Sequence, residues 1–188
     1  NMEETKKKGL NTSSNSYTII YSVVIVVVVA FLLAFVSSTL KPQQDENVAL
    51  DKKKQILAAL NIRDIDGAEA TEQYNKVVTA DKIIDRNGEE VEAGKQGGTE
   101  AGFLCNSTST KEGKLALYVC NVDGETKYVI PVYGMGLWGG ISGYIALNAD
   151  KQTVYGAYFN HEGETAGLGA EIKDSRKWQD QFKGKHVF

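Results

Sequence analysis

The chain has 188 residues, a formal net charge of −3, 19 glycines and only two prolines. The weak negative charge argues against nucleic acid as a partner, because nucleic-acid binding calls for a clustered basic face. Apart from an apolar N-terminal stretch, residues 41–188 suffice for one domain with a substantial core, and the many glycines indicate tight turns between strands.

An uncharged stretch runs from Gly9 to Leu40, and its part from Tyr17 onward is almost entirely β-branched and aliphatic. As a helix, residues 17–40 would span roughly 36 Å, enough to cross a hydrocarbon core of about 30 Å. A cleaved signal peptide is the alternative, but its apolar region is usually only about 7–15 residues long. The sequence therefore predicts a retained single-pass transmembrane helix. Three lysines at 6–8 favour a cytoplasmic tail over residues 1–16, with the domain outside the cytoplasm.

Two further helices are predicted after the span. Residues 41–60 form an amphipathic pattern typical of a membrane-proximal helix, which ends at Asn61 and continues from the span after a kink at Pro42. A second helix is predicted from Asp66 to about Val78. The Asp66 carboxylate would cap its first turn, and Glu69 would complete a capping box.

Beyond these helices the hydrophobic residues recur with a period of two, which is typical of half-buried strands. Asn87-Gly88 predicts a tight hairpin between the first two strands. A short helix at 175–182, with Trp178 and Phe182 one turn apart, is expected to pack on the sheet. The predicted fold class is α+β: one N-terminal transmembrane helix, then a mixed, mainly antiparallel sheet domain with a few packed helices. Its strands are predicted at 82–85, 89–92, 115–120, 127–133, 141–148 and 152–160.

The two cysteines lie on segments that residues 107–113 connect. If Glu112-Gly113 is a two-residue hairpin turn, Cys105 and Cys120 lie equally far from it and face each other. A disulfide between them is then expected, since the predicted span places the domain on an oxidising side. Two buried free thiols are the alternative.

Two glycine-rich segments, Tyr133–Gly140 and His161–Glu171, interrupt the predicted sheet. Neither matches a phosphate loop or a dinucleotide fingerprint. Their glycines would let backbone amides approach a flat or phosphorylated ligand, and Leu137, Trp138 and Leu168 offer apolar faces for a ring. Residue types alone favour the alternative, which is ordinary turns around a buried tryptophan.

The sequence gives little support for a metal site or for acid–base catalysis. His161 and His186 are far apart, and neither has a cysteine or an acidic residue at metal-ligand spacing, so no metal site is predicted. Glu164 and Glu171 could form a carboxylate pair, but no nucleophile or base network accompanies them. The sequence therefore predicts no catalytic residue.

Several runs of the chain resemble the C subunit of the sodium-translocating NADH:quinone reductase, more closely than they resemble the related G subunit of the Rnf complex. The runs fall in the same order in both, and the spacing of anchor, helix and two glycine segments is similar. They are Leu40–Asn47, Leu50–Leu57, Gly134–Trp138 and Gly163–Ile172.

The resemblance implies a subunit of the bacterial inner membrane whose periplasmic domain carries FMN, joined through its phosphate to a threonine. The cofactor would relay single electrons between NADH oxidation and ubiquinone reduction, in a complex that exports sodium. The implied partners are the other subunits and the lipid bilayer, and no independent catalytic activity is expected. An Rnf-type G subunit and a non-redox, membrane-anchored scaffold domain are the alternatives.

By position, the resemblance assigns the flavin-binding residues to the two glycine segments. One wall of the site would be Gly136, Leu137 and Trp138. The second wall would be Glu164, Thr165, Gly167, Leu168 and Gly169.

The sequence departs from the family pattern in two places. Ala166 stands where the family usually has proline, which removes a stiffener from the loop but no chemical group. The family's flavin-bearing threonine belongs to a Ser-Gly-Ala-Thr motif that these residues lack. Residues 61–188 are thus expected to be a periplasmic FMN-binding-type domain that is incomplete at its carboxyl end, with covalent FMN absent or only partly held. The chain is then either part of a longer polypeptide, which we favour, or a truncated form.

Overall fold

The computed structural model describes residues 14–188. The chain divides into two compact units, with the boundary between Asn47 and Val48. The predicted tail, residues 1–16, lies almost entirely outside the described residues.

The first described element is α1, an α-helix from Asn15 to Ala59 that contains Pro42. The predicted helices at 17–40 and 41–60 are therefore one helical element. Within the described residues, α1 is the one helix long and apolar enough to cross a membrane by length and composition. Its large apolar side chains in the first unit are exposed, for example Phe31. The helix ends where predicted, because Asn61 adopts a left-handed conformation with φ of 63° that asparagine tolerates.

The second unit contains, within residues 48–188, a six-stranded antiparallel sheet in the order β2-β1-β3-β4-β5-β6. This confirms the predicted fold class. The hairpin around Asn87-Gly88 is also present, since β1 pairs with β2. The strands are β1 (Val78–Ile84), β2 (Glu90–Glu92), β3 (Leu115–Val122), β4 (Glu125–Met135), β5 (Gly140–Leu147) and β6 (Val154–His161).

Short helices pack against the sheet. Helix α2 (Gly67–Val77) begins as predicted, with the Asp66 carboxylate accepting the N–H of Glu69 at 2.9 Å. The predicted C-terminal helix is present as α5 (Arg176–Gln179) followed by a 3-10 turn, and Trp178 packs on Phe159 of β6 with ring centroids 5.6 Å apart. The remaining helices are α3 (Ser107–Lys111), α4 (Glu171–Asp174) and α5 (Arg176–Gln179), with 3-10 turns at Gly102–Leu104 and Asp180–Phe182.

The core lies between one face of the sheet and the helices. Alternate residues of β3 are buried, as the period-two pattern predicts, and they meet the last turns of α1. Full burial of each large apolar side chain stabilises the fold by roughly 1.5–3 kcal/mol. The largest fully buried apolar and aromatic side chains are Tyr74, Tyr118, Ile56, Leu57, Leu60, Val78 and Val129.

Polar side chains just after α1 occupy the outer edge of β6. The Asn61 side-chain amide donates to the carbonyl of Tyr155 at 3.1 Å, and the Arg63 guanidinium donates to the carbonyl of Ala157 at 2.9 Å. Arg63 also donates to Gln179 at 2.7 Å. The end of α1 is thus joined to the sheet edge and to α5.

The predicted hairpin between the cysteines is wrong. Residues 107–111 form α3, because the Asn106 side chain caps its first turn and Ser109 completes a capping box. Cys105 follows a 3-10 turn outside the sheet, whereas Cys120 on β3 pairs with Val78 and Lys127. The expected disulfide is absent, and both buried thiols are free.

Candidate functional site

Strand pairing brings the two glycine segments to the same end of the sheet. β5 and β6 are antiparallel, and their ladder reaches Ile141 opposite His161. The backbone N–H of Glu162 then donates to the carbonyl of Gly140 at 3.0 Å, one step beyond the strands. The chain entering β5 and the chain leaving β6 must therefore lie side by side.

The first segment is a hairpin turn rather than a long interruption of the sheet. β4 extends to Met135 and β5 begins at Gly140, which leaves residues 136–139 as the connection, called here the hairpin turn. The N–H of Gly136 donates to the carbonyl of Gly139 at 2.8 Å and closes it. The second segment, residues 162–170, is called here the β6–α4 loop.

The Glu164 carboxylate links the hairpin turn to the β6–α4 loop. Its Oε1 accepts the backbone N–H of Trp138 at 3.2 Å. A Cβ added at Gly136 would overlap this same oxygen, and one added at Gly169 would lie 2.6 Å from Oε2. Both glycines thus permit a close approach to Glu164 that a larger residue would prevent.

Two neighbouring side chains add to this link. Glu162 Oε2 accepts the N–H of Gly140 at 3.1 Å, and His161 Nδ1 accepts the N–H of Glu164 at 3.2 Å. A Cβ at Gly163 would lie 3.1 Å from the carbonyl oxygen of Trp138. The β6–α4 loop is therefore linked to the hairpin turn and to the start of β5 by two carboxylates that accept backbone N–H groups.

Large apolar side chains project from this linked pair into solvent. Leu137 is 82% exposed, Trp138 68% and Leu168 78%. The alternative of a buried tryptophan is therefore wrong, because Trp138 lies on the surface. Exposed apolar groups clustered around a fixed backbone mark a binding surface more often than an ordinary turn.

The remaining predicted residues, Thr165 and Gly167, lie in the β6–α4 loop and are exposed. The carbonyl of Thr165 accepts the N–H groups of Leu168 and Ala170, each at 3.1 Å. These bonds close a compact turn that presents Leu168. All the sequence-predicted site residues thus lie in the hairpin turn or the β6–α4 loop.

A cleft of about 580 Å³ opens beside the hairpin turn. Tyr133, Met135 and Glu162 line it on the sheet side, and Ser107 and Lys111 line it on the side of α3. Burial raises the pKa of the Tyr133 phenol, which keeps its proton on the oxygen. The volume lies within the range of about 300–1,000 Å³ found for small-molecule sites.

Sequence reasoning missed the contribution of Glu162, Tyr133 and Met135. The spacing of Glu162 and Glu164 could have indicated that both carboxylates lie on the same side. In an extended segment, residues two apart point to the same face. Cleft residues on α3 could not be found, since the helix itself was not predicted. In residues 14–188, no group of three or more His, Cys, Asp or Glu is arranged to hold a metal ion.

The FMN-binding domain family matches residues 136–187. This range begins at the hairpin turn and includes the whole β6–α4 loop. The match therefore covers the part of the chain that forms the linked pair of segments.

Curated relatives extend the similarity to most of the chain. The C subunit of the Na(+)-translocating NADH-quinone reductase of Haemophilus ducreyi is 33% identical over 172 residues, covering 83% of this chain and 66% of the relative. The C subunit of Pseudomonas aeruginosa is 29% identical over 95% of this chain and 75% of the relative. The chain thus spans about two thirds to three quarters of the length of these relatives.

Two solved structures have a fold similar to that of this chain. The crystal structure of the C subunit from Parabacteroides distasonis has a TM-score of 0.72 and 38% identity, covering 79% of this chain and 71% of that one. Shewanella oneidensis NqrC has a TM-score of 0.58 at 23% identity, covering 72% and 69%, and shows the shared fold. The helix, the antiparallel sheet, the paired glycine segments and the similarity along most of the chain together establish that this protein belongs to the NqrC family, the C subunits of the Na(+)-translocating NADH-quinone reductase.

Proposed function

We propose that this chain is the flavin-holding, electron-transfer subunit of a sodium-translocating NADH:quinone reductase, and that its FMN surface is built by the hairpin turn and the β6–α4 loop. The observation that carries the proposal is the convergence of these two segments on Glu164, which leaves Leu137, Trp138 and Leu168 exposed beside them. Membership in the family supports the same assignment.

The residues present fit a flat, phosphorylated aromatic ligand. Trp138 offers an aromatic face and Leu137 and Leu168 offer aliphatic ones, so the cluster suits a ring better than a polar substrate. The adjoining cleft is large enough for a cofactor of this size and carries Lys111, whose ammonium suits a phosphate. The compact backbone around Gly136 and Gly169 leaves the ring surface unobstructed.

When bound, FMN supplies the one-electron chemistry, and the protein supplies position and environment. Trp138 and Leu168 would hold the flavin through their apolar surfaces and would exclude water there. The β5–β6 ladder, which is part of the sheet, fixes the two segments from below. A site built on a rigid sheet keeps its geometry better than one on free loops.

Covalent attachment of FMN depends on a threonine in a suitable sequence context. In the resembled family, FMN is esterified to the threonine of a Ser-Gly-Ala-Thr motif, which is absent from these residues. Thr165 and the other threonines here stand in different sequence contexts. We therefore expect reversible FMN binding by this chain, with covalent attachment requiring a threonine outside it.

The same assignment implies a membrane anchor and contacts with other subunits of the complex. The apolar part of α1 would hold the chain in the bacterial inner membrane, and residues 48–188 would lie in the periplasm next to the other subunits. A reporter fused after Phe188 tests this orientation: alkaline phosphatase should be active there, and a cytoplasm-dependent reporter should not. The reverse pattern would contradict the periplasmic placement.

A non-redox scaffold domain is the alternative function. It requires no link between the two segments that carry Leu137, Trp138 and Leu168, and it gives no reason for large apolar groups to be exposed around tightly linked glycines. The observed arrangement favours the flavin-holding role over the scaffold.

Titration of the full chain in detergent micelles with FMN tests the proposal. Quenching of flavin fluorescence should be saturable, and the flavin should be lost on gel filtration. Trp138→Ala should raise the dissociation constant about tenfold, because an aromatic stacking contact contributes about 0.5–1.5 kcal/mol beyond burial. Val91→Ser, which alters an exposed apolar residue on β2, is the matched control. Equal affinities for all three chains, or no saturable binding, would refute the flavin surface.

A further inference from the structure

Glu164 lies in the middle of the candidate site, yet its carboxylate is directed at protein backbone. Oε1 accepts the N–H of Trp138 in the hairpin turn. Oε2 lies against Gly169, next to Leu168 in the β6–α4 loop. One side chain therefore contacts the backbone beside both apolar walls of the site.

Glu164 is itself held in place from the opposite side. Its backbone N–H donates to His161 Nδ1 at 3.2 Å, and His161 is fixed by the end of β6. The residue is half-buried, whereas its neighbours Gly163 and Thr165 are exposed. The link therefore runs from the sheet through His161 and Glu164 to Trp138.

We propose that Glu164 is a positioning residue, which sets the separation between Trp138 and Leu168 and does not itself contact the flavin ring. This inference rests on the proposed function and deepens it. It also revises the expectation that Glu164 forms part of the second flavin wall. Its carboxylate is engaged with backbone groups, so Leu168 and the backbone of the β6–α4 loop form that wall instead.

The chemistry of the link explains why glutamate suits this position. A hydrogen bond to an ionised acceptor is stronger than one between neutral groups. Glutamine has the same length and keeps one acceptor oxygen, so it should hold the link partly. Aspartate is one methylene shorter and should not reach Trp138 from the same backbone position. Alanine removes the acceptor.

Amide hydrogen exchange in the full chain, in micelles and without flavin, tests the link directly. In Glu164→Ala the Trp138 amide should exchange roughly tenfold faster or more, with Glu164→Gln intermediate and Glu164→Asp close to alanine. Amides of β1 and β3 should keep their rates, which separates a local link from general destabilisation. The control is Glu171→Gln, which removes an exposed carboxylate at the start of α4.

FMN titration of the same variants tests the flavin half of the inference. The dissociation constant should rise roughly tenfold in Glu164→Ala, recover partly in Glu164→Gln, and stay unchanged in Glu171→Gln. Weaker binding with unchanged Trp138 exchange would overturn the inference, because Glu164 would then contact the flavin itself. Unchanged exchange and unchanged affinity would overturn it as well.

A failure of the proposed function gives a different result. If the unsubstituted chain binds no FMN while Glu164→Ala accelerates Trp138 exchange, the flavin assignment fails and only the link between the two segments stands. If FMN binds and Glu164→Ala changes neither measurement, the flavin assignment stands and the positioning role is overturned.

Discussion

The carboxylate of Asp81 accepts the backbone N–H of Ala101 at 3.1 Å, although the two residues are far apart in sequence. The same carboxylate accepts the N–H groups of Phe103 at 3.3 Å and Lys95 at 3.2 Å. Asp81 is on β1 and only 1% exposed. A single buried carboxylate therefore fixes the irregular segment that leads from β2 to α3.

Asp81→Asn should destabilise the domain by about 3 kcal/mol or more. The amide replaces one acceptor oxygen by a donor, which would face backbone N–H groups with no other partner for them in the core. Chemical unfolding of the full chain in micelles measures the effect. Glu72→Gln, on the exposed side of α2, is the control and should be neutral. Equal unfolding midpoints for both variants would contradict this role.

Gly136→Ala should weaken FMN binding about tenfold, because the new methyl group overlaps the Glu164 carboxylate and displaces it from the backbone N–H of Trp138. Val91→Ser, which alters an exposed apolar residue on β2 away from the cleft, is the control, and its affinity should change less than about twofold. FMN titration compares the two chains, and similar losses in both would contradict the steric explanation.

The two cysteines should stay unmodified in the folded chain. Burial raises the pKa of the Cys120 thiol to about 12 and raises that of Cys105 as well, so little reactive thiolate forms near neutral pH. Iodoacetamide at pH 8 should label both cysteines only after unfolding in guanidinium. Mass spectrometry of the intact, unreduced chain gives a separate check. A mass two hydrogens lower than the reduced chain would show the disulfide that the structure lacks.

Asp150 should make the β5–β6 hairpin sensitive to acid. The Thr153 hydroxyl, the Thr153 N–H and the Gln152 N–H all donate to its carboxylate and lower its pKa from 3.8 to about 2. A depressed pKa gives stability that is present above the ordinary value and is lost as the pH falls from about 4 to about 2.

NMR titration of the Asp150 carboxyl group measures this pKa. Thr153→Val removes the hydroxyl, which makes the largest contribution, and should return the pKa towards its ordinary value. Gln152→Ala keeps the backbone donor and should leave the pKa close to that of the original chain. The same pKa in both variants would contradict the role of the hydroxyl.

The sequence predicted most of the sheet because alternating residues report directly on which face of a strand is buried. Strands β3 to β6 appear where they were expected, and the cap at Asp66 is present. Helix α3 was missed because a helix of one turn has no hydrophobic period, and only the spacing of Asn106 and Ser109 indicated it. That omission produced the wrong hairpin and the wrong pairing of Cys105 with Cys120.

The glycine segments indicated where to expect the candidate site, but the contacts that link them were not predicted. Alternation cannot show that β4 continues through Tyr133 to Met135, because the glycines that follow provide no side chains to read. The contact between Glu164 and Trp138 depends on the β5–β6 register, which brings together residues distant in sequence. Only the folded backbone shows that the carboxylate faces the hairpin turn.

The side chains of Asn61 and Arg63 donate hydrogen bonds to the edge strand β6 and so affect whether another copy of the chain can pair with it. An edge strand with unpaired backbone N–H and C=O groups can pair with a strand of another molecule, and repeated pairing produces fibrils. In β6, two carbonyls already accept hydrogen bonds from side chains of the same molecule. The edge strand on the other side of the sheet, β2, has only three residues, and two of them are glutamates that would repel an identical strand. Both edge strands of the sheet are thereby less available for pairing with a second copy of the chain.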